Sequence, residues 1–166
     1  MRSTSGAGSA RSSNGRSLLL GVAGGMRSLT PLAAVVLASR SAGHDADWRR
    51  WPVLRHRSGR ALVVIGAAAE LVGDKLPATP SRLTPPALVG RVAAAALAGA
   101  ALATSAGEAR SVRRGAAIAA VGAVIGAFGG LWARSAVSEA SGAPDPAIAV
   151  LEDVAAIAIA RWATAG

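Results

Sequence analysis

The chain has 166 residues, 52% of them hydrophobic but only 3% aromatic, and 18 basic against 9 acidic residues give it a formal net charge of +9. That composition excludes a disordered chain, and the length excludes a multi-domain enzyme with a separate cofactor module. With no cysteine and only His44 and His56, disulfides and thiolate chemistry are excluded and little remains for a metal site, so no cofactor is expected.

Residues 1–16, rich in Ser, Gly and Arg, read as a disordered polar and basic tail ahead of one helical domain over 17–163. A secretory signal is disfavoured because Arg27 and Pro31 interrupt the apolar run that begins at Leu18. The first segment, 17–39, contains Gly24, Gly25, Arg27, Ser28, Thr30 and Pro31, which oppose an unbroken helix. Pro31 lacks an N–H and its ring clashes with the preceding turn. A broken helix or re-entrant hairpin is one expectation and a kinked span the other.

The connection 40–60 holds six arginines with Trp48, Trp51 and both histidines. Basic and aromatic side chains together suit a membrane surface with anionic headgroups. Nucleic-acid binding would use similar residues, but the arginines lie in bands between apolar stretches and form no basic face, which disfavours it. Segment 61–76 follows, then Pro77, Pro80, Pro85 and Pro86 punctuate the next connection. Segment 87–106 is almost uncharged. Residues 115–133 of segment 115–137 carry no charge and span about 28 Å at the helical rise, close to the roughly 30 Å of a hydrocarbon core. Gly142, Pro144 and Pro146 separate it from segment 147–163.

The expected fold is therefore all-α: an integral membrane helical bundle of four to five segments. An Ala-rich soluble bundle is the competing reading, because Ala is the best helix former without being strongly apolar. A soluble helix would show a polar face, and 115–133 has none.

Charges inside the segments then become informative. Arg27, Lys75, Arg91 and Arg134 stand against Glu70, Asp74, Glu152 and Asp153, four of each sign. An intramembrane charge costs at least ~2.5–3.5 kcal/mol at mid-helix, so these residues require partners, water or a function. Small residues recur at four-residue spacing in line with them: Gly122, Gly126 and Gly130 lead to Arg134, Gly66 leads to Glu70 and Asp74, and Arg91 leads to Ala95 and Gly99. Such ridges let backbones approach closely in lipid, so the charges should sit where helices meet. Glu70 and Asp74, one turn apart, suit a proton or cation site, or else salt bridges to Arg27 or Arg91. Glu152 and Asp153 point about 100 degrees apart, and Glu152 is taken as the inward one.

A short echo links Gly21–Met26, followed by Arg27 and Ser28, with Gly126–Leu131, followed by Arg134 and Ser135. If each copy pairs with the acid-bearing segment after it, the lone third helix makes the two copies an inverted repeat of the transporter kind.

The stretch Glu70-Leu-Val-Gly-Asp74-Lys75-Leu-Pro77-Ala-Thr79-Pro80-Ser81-Arg82, with Pro85-Pro86-Ala-Leu-Val-Gly90-Arg91, resembles the signature of a family of uncharacterised bacterial inner-membrane proteins, a domain of unknown function. Gly24-Gly25-Met26-Arg27-Ser28-Leu29-Thr30-Pro31 and Glu152-Asp153 resemble it too. The extended 40–60 connection is less typical. The resemblance implies a compact multi-pass protein of the bacterial inner membrane and supplies no reaction or ligand.

With five spans, ten basic loop residues fall on the side of residues 40–60 and 107–114 and five on the other, placing the N-terminus outside. The leading functional expectation is a small membrane protein that moves, or responds to, an ion or small polar solute. Its charged site would comprise Arg27, Glu70, Asp74, Arg91, Arg134 and Glu152. The alternative is a membrane scaffold or accessory subunit whose charges only pair helices. An enzyme is not expected, since no nucleophile signature or metal-ligand spacing is present. Small-residue faces also permit a homo-oligomer.

Overall fold

A computed structural model of the chain describes residues 5–41, 47–73, 84–104 and 109–165, and every regular element among them is helical. In order they are α1 (Ser5–Met26), α2 (Thr30–Ser41), a short 3-10 turn (Asp47–Arg50), α3 (Arg57–Gly73), α4 (Pro85–Ala103), α5 (Ala109–Ser141) and α6 (Asp145–Thr164). Proline and glycine set several boundaries. Pro85 opens α4 and Pro146 sits in the first turn of α6, where the missing N–H has no intrahelical partner to lose. Gly142, at φ +59°, closes α5 in the left-handed conformation that favours glycine.

Four expected segments correspond to α3, α4, α5 and α6, while the C-terminal end of 61–76 lies outside the described residues. The expected first segment, 17–39, is two helices interrupted at Arg27–Leu29. The break falls where proline chemistry puts it: Pro31 is the second residue of α2, so its ring has no preceding helical turn to clash with. At the other end, α1 begins at Ser5, inside the segment expected as a disordered tail, so the helix extends ahead of the apolar run.

Helix directions follow from neighbouring residues. A Cβ on Gly21 would strike Ala119, and one on Gly25 would strike Ala123, Gly126 and Ala127, so α1 and α5 run parallel. Across α4 and α5, a Cβ on Gly115 would lie 2.7 Å from the Gly99 carbonyl oxygen and 2.8 Å from Ala103, while one on Gly99 would strike Ala119, making this pair antiparallel. On α6, Arg16 meets Ala163 and Arg27 meets Asp153, so α1 and α6 are antiparallel. The parallel course of α1 and α5 removes the inverted repeat. Copies related by inversion would run in opposite directions, and the echoed glycines instead belong to two helices packed face to face.

The course of α2 follows from its core partners. Leu32, Val35 and Val36 join one buried cluster with Leu20 and Ala23 of α1, Ala98 and Ala101 of α4, and Ala160 and Ala163 of α6. These alanines lie toward the same end of the bundle from which α1 arrives. Helix α2 therefore folds back, and α1–α2 is a helical hairpin whose tip, Arg27–Leu29, stops partway along α6. Trp48 and Leu54 close this core from below.

Within a mostly apolar core several charges are buried, and many large apolar side chains are exposed. Arg27 is 0% exposed, and Arg91, Glu152 and Asp153 are buried. Leu62, Ile65 and Val72 of α3, Val89 of α4, Ile125, Phe128 and Trp132 of α5, and Leu151, Val154 and Trp162 of α6 are each more than half exposed. Two helices among the described residues, Pro85–Ala103 and Ser111–Ser141, are long and apolar enough to cross a membrane. Only 39% and 33% of their apolar windows is buried, whereas the core helix of a soluble protein would be mostly covered.

Candidate functional site

The hairpin tip exposes two helix ends inside the bundle, and each creates a requirement. The last carbonyls of α1 lack intrahelical donors, and the first N–H groups of α2 lack acceptors. Arg91 of α4 answers the first: its Nη1 donates to Met26 O at 3.0 Å and to Gly25 O at 3.4 Å. Glu70 of α3 serves the break just ahead of α2, accepting from Ser28 N at 2.6 Å on Oε1 and from Leu29 N at 2.9 Å on Oε2. Each charge also matches the macrodipole, cation at a helix C-terminus and anion at an N-terminus. Leu29 O accepts from Ala33 N at 2.9 Å and starts the α2 ladder, so Glu70 holds the two N–H groups that lead into that helix.

Arg91, Glu70, Arg27 and Asp153 are also charge-paired. Arg91 Nη1 lies 3.7 Å from Glu70 Oε1. Arg27 donates from Nε to Asp153 Oδ1 at 2.6 Å, and its Nη2 contacts the same oxygen. Arg27 Nη1 also reaches Met26 O at 3.4 Å, so two guanidinium groups converge on that carbonyl.

A second pair lies beside the first. Arg134 Nη1 is 3.6 Å from Glu152 Oε2, and its Nη2 is 3.3 Å from Asp145 Oδ2. Gly130 joins the two: a Cβ there would lie 3.2 Å from Glu152 Oε1 and 3.5 Å from Met26. The glycine leaves room for the acid beside the hairpin tip.

Of the expected site residues, Arg27, Glu70 and Arg91 meet at the tip, and Arg134 and Glu152 form the neighbouring pair. Asp74 lies outside the described residues. Gly66 stands behind the tip, where a Cβ would come within 2.8 Å of Leu29. Gly122 and Gly126 let α5 ride on Leu18 and Val22 of α1. Asp153 was not among the expected site residues, yet it is the acid that meets Arg27, and both it and Glu152 are buried. The signal for it was charge balance: an arginine as deep as Arg27 needs an acid, and Asp153 was the one left without an assigned role.

Chemically, the array offers a carboxylate on two backbone N–H groups, a guanidinium on two backbone carbonyls, and two further cross-helix ion pairs. A cation entering it would compete with Arg91 for Glu70, and an anion would compete with Glu70 for the Ser28 and Leu29 N–H groups. No group of three or more metal-ligating side chains occurs among the described residues. No family model, curated protein or solved structure matches the chain.

Proposed function

We propose that the chain is a small multi-pass protein of the bacterial inner membrane, and that the charged centre at the α1–α2 break moves, or responds to, an ion or small polar solute. The observation that carries this reading is a backbone break set among buried charges in a bundle that exposes many large apolar side chains. Broken backbone is tolerated at membrane depth only against protein or a water-filled cavity. Ionisable residues at that depth mark ion or solute pathways by default, and transporters build their sites from helices broken near the midplane. The resemblance of the Glu70–Arg91 region to uncharacterised inner-membrane proteins accords with the location and adds no activity. Anionic headgroups are the proposed partner of residues 40–60, and no catalytic role is assigned.

Reconstituted proteoliposomes test the proposal. Proton, cation or small-solute flux above that of empty vesicles, lost in Glu70→Gln, supports it. No flux above empty vesicles across those probes would count against it.

One observation favours a second reading, in which the protein is a scaffold or accessory subunit. The ion pairs described above join different elements: the α1–α2 break to α6, α3 to α4, and α5 to α6. On that reading, exchanging Arg134 and Glu152, whose ion pair involves no backbone group, restores folding and cellular phenotype together. A transport site would recover the fold and stay inactive.

A further inference from the structure

The folded-back α2 changes which arginines share an end of the bundle. Arg16 of α1 donates to Ala163 O at 2.8 Å, placing it beside Arg161 in the last turn of α6. Arg49 and Arg50 lie in the 3-10 turn next to Trp48, whose ring packs into the core with Val35 and Ala163. Arg57 and Arg60 open α3, with Arg60 Nη1 donating to Leu54 O at 2.7 Å, and Arg55 lies between. Arg113 and Arg114 immediately precede Gly115, which faces Gly99 and Ala103 at the end of α4. Nine described arginines thus gather at one end, and six of them, Arg50, Arg55, Arg57, Arg113, Arg114 and Arg161, are exposed. Toward the opposite end the described charges are Arg134, paired with Asp145, and Glu139.

The sequence alone divided these residues between two sides, because segment 17–39 was counted as a crossing. A re-entrant hairpin returns to the side it left, so Arg16 joins the others.

We propose that the arginine-bearing end docks on the anionic phospholipid headgroups of the cytoplasmic leaflet. This inference rests on the membrane reading above and adds an orientation to it: α3 to α6 make four crossings, and α1–α2 dips in and out from the cytoplasmic side. Charge complementarity selects the occupant. Arginines next to membrane-spanning ends are retained on the cytoplasmic side, and a cluster of basic residues there is attracted to anionic lipid. Trp48 and Arg49 suit the same depth, the guanidinium lying 5.8 Å above the ring while the indole is anchored in the core.

The cysteine-free chain gives a direct test. Single cysteines replace exposed residues as Ser13→Cys, Ser58→Cys, Ala140→Cys and Ala165→Cys, and a membrane-impermeant maleimide is applied to intact spheroplasts or to inverted vesicles. The expected pattern is labelling of positions 13, 58 and 165 only in inverted vesicles, and of position 140 only in spheroplasts. Positions 13 and 58 on opposite faces would overturn the hairpin, and a fully reversed pattern would overturn the orientation, while either result leaves the chain in the membrane. Release of the unlabelled chain by alkaline washing would instead overturn the membrane reading itself.

A second measurement addresses the headgroups. In neutral detergent, phosphatidylglycerol should raise the melting temperature more than phosphatidylcholine does, and the difference should shrink when Arg50, Arg57, Arg113 and Arg114 are all changed to Gln. Equal shifts from the two lipids would overturn the anionic partner. A larger shift from a single-stranded oligonucleotide would overturn it in favour of nucleic acid.

Discussion

Arg27 decides much of the chemistry at the scale of single residues, because a guanidinium with 0% exposure must be answered within the bundle. Removing one member of such a pair leaves an uncompensated buried charge, and Arg27→Ala should cost about 3–5 kcal/mol. Replacing both partners with apolar residues, as in Arg27→Leu with Asp153→Leu, should recover most of that loss, measured as unfolding in detergent. If the pair serves transport, the double variant folds and carries no flux. Glu70 makes a different demand, since its two oxygens serve two backbone donors. Gln keeps the shape but offers one acceptor and an NH2 that faces a donor. Glu70→Gln should therefore destabilise the hairpin by about 1–3 kcal/mol, readable as faster hydrogen exchange at Ser28 and Leu29 than in the parent protein. The sequence made Arg27 and Glu70 legible because isolated charges in apolar runs demand partners. It did not separate Asp153 from Glu152. Helix α6 is rich in alanine and aliphatic residues all round its surface, so no polar stripe sets its rotation, and only the position of Arg27 on another helix shows that both acids turn inward.

Helices meet through glycine, and spacing alone does not say which glycines carry contact. Gly126 and Gly129 lie three residues apart on α5, yet a Cβ on Gly126 would collide with Val22 of α1, whereas one on Gly129 meets nothing within 4 Å. Gly126→Ala should accordingly lose about 1–3 kcal/mol through forced separation of α1 and α5. Gly129→Ala should be neutral or gain up to roughly 1 kcal/mol from the lower backbone entropy of alanine. Thermal unfolding of the two variants side by side checks both signs. Local chemistry made the helix boundaries legible: prolines at 85, 144 and 146, the glycine at 142, and Pro31 with Gly24 and Gly25 as a break in the first segment. Non-local geometry stayed hidden. The break fits a kink or a return equally well, and the choice depends on Val35 and Val36 joining Ala98 and Ala160 in one buried cluster of residues far apart in the chain. The same limit produced the expected inverted repeat, since a shared glycine pattern reports close packing and carries no helix direction.

Over the whole molecule, buried charges stand against exposed apolar side chains, and water and lipid would treat that arrangement differently. The buried charges gather at and beside the hairpin tip, while Val, Ile, Leu, Phe and Trp side chains are exposed on α3, α4, α5 and α6. In water these exposed apolar side chains would favour association. In lipid it is the expected exterior, and helix contacts then depend on close backbone approach, as the glycine faces provide. Tryptophan fluorescence separates the two environments because the chain carries both kinds of indole. Trp132 and Trp162 are 75% and 67% exposed on α5 and α6, while Trp48 is 2% exposed within the protein core. Single-tryptophan variants retaining each of these, with the other tryptophans changed to Phe, should behave oppositely in bilayers whose acyl chains carry bromine, a contact quencher. Emission from Trp132 and Trp162 should fall relative to unbrominated lipid, and emission from Trp48 should hold. Equal emission from all three in the two lipids would mean that no acyl chain touches the outer faces of α5 and α6. Those faces would then have to be covered by protein, and the charged centre would lie in a protein interior with no bilayer around it.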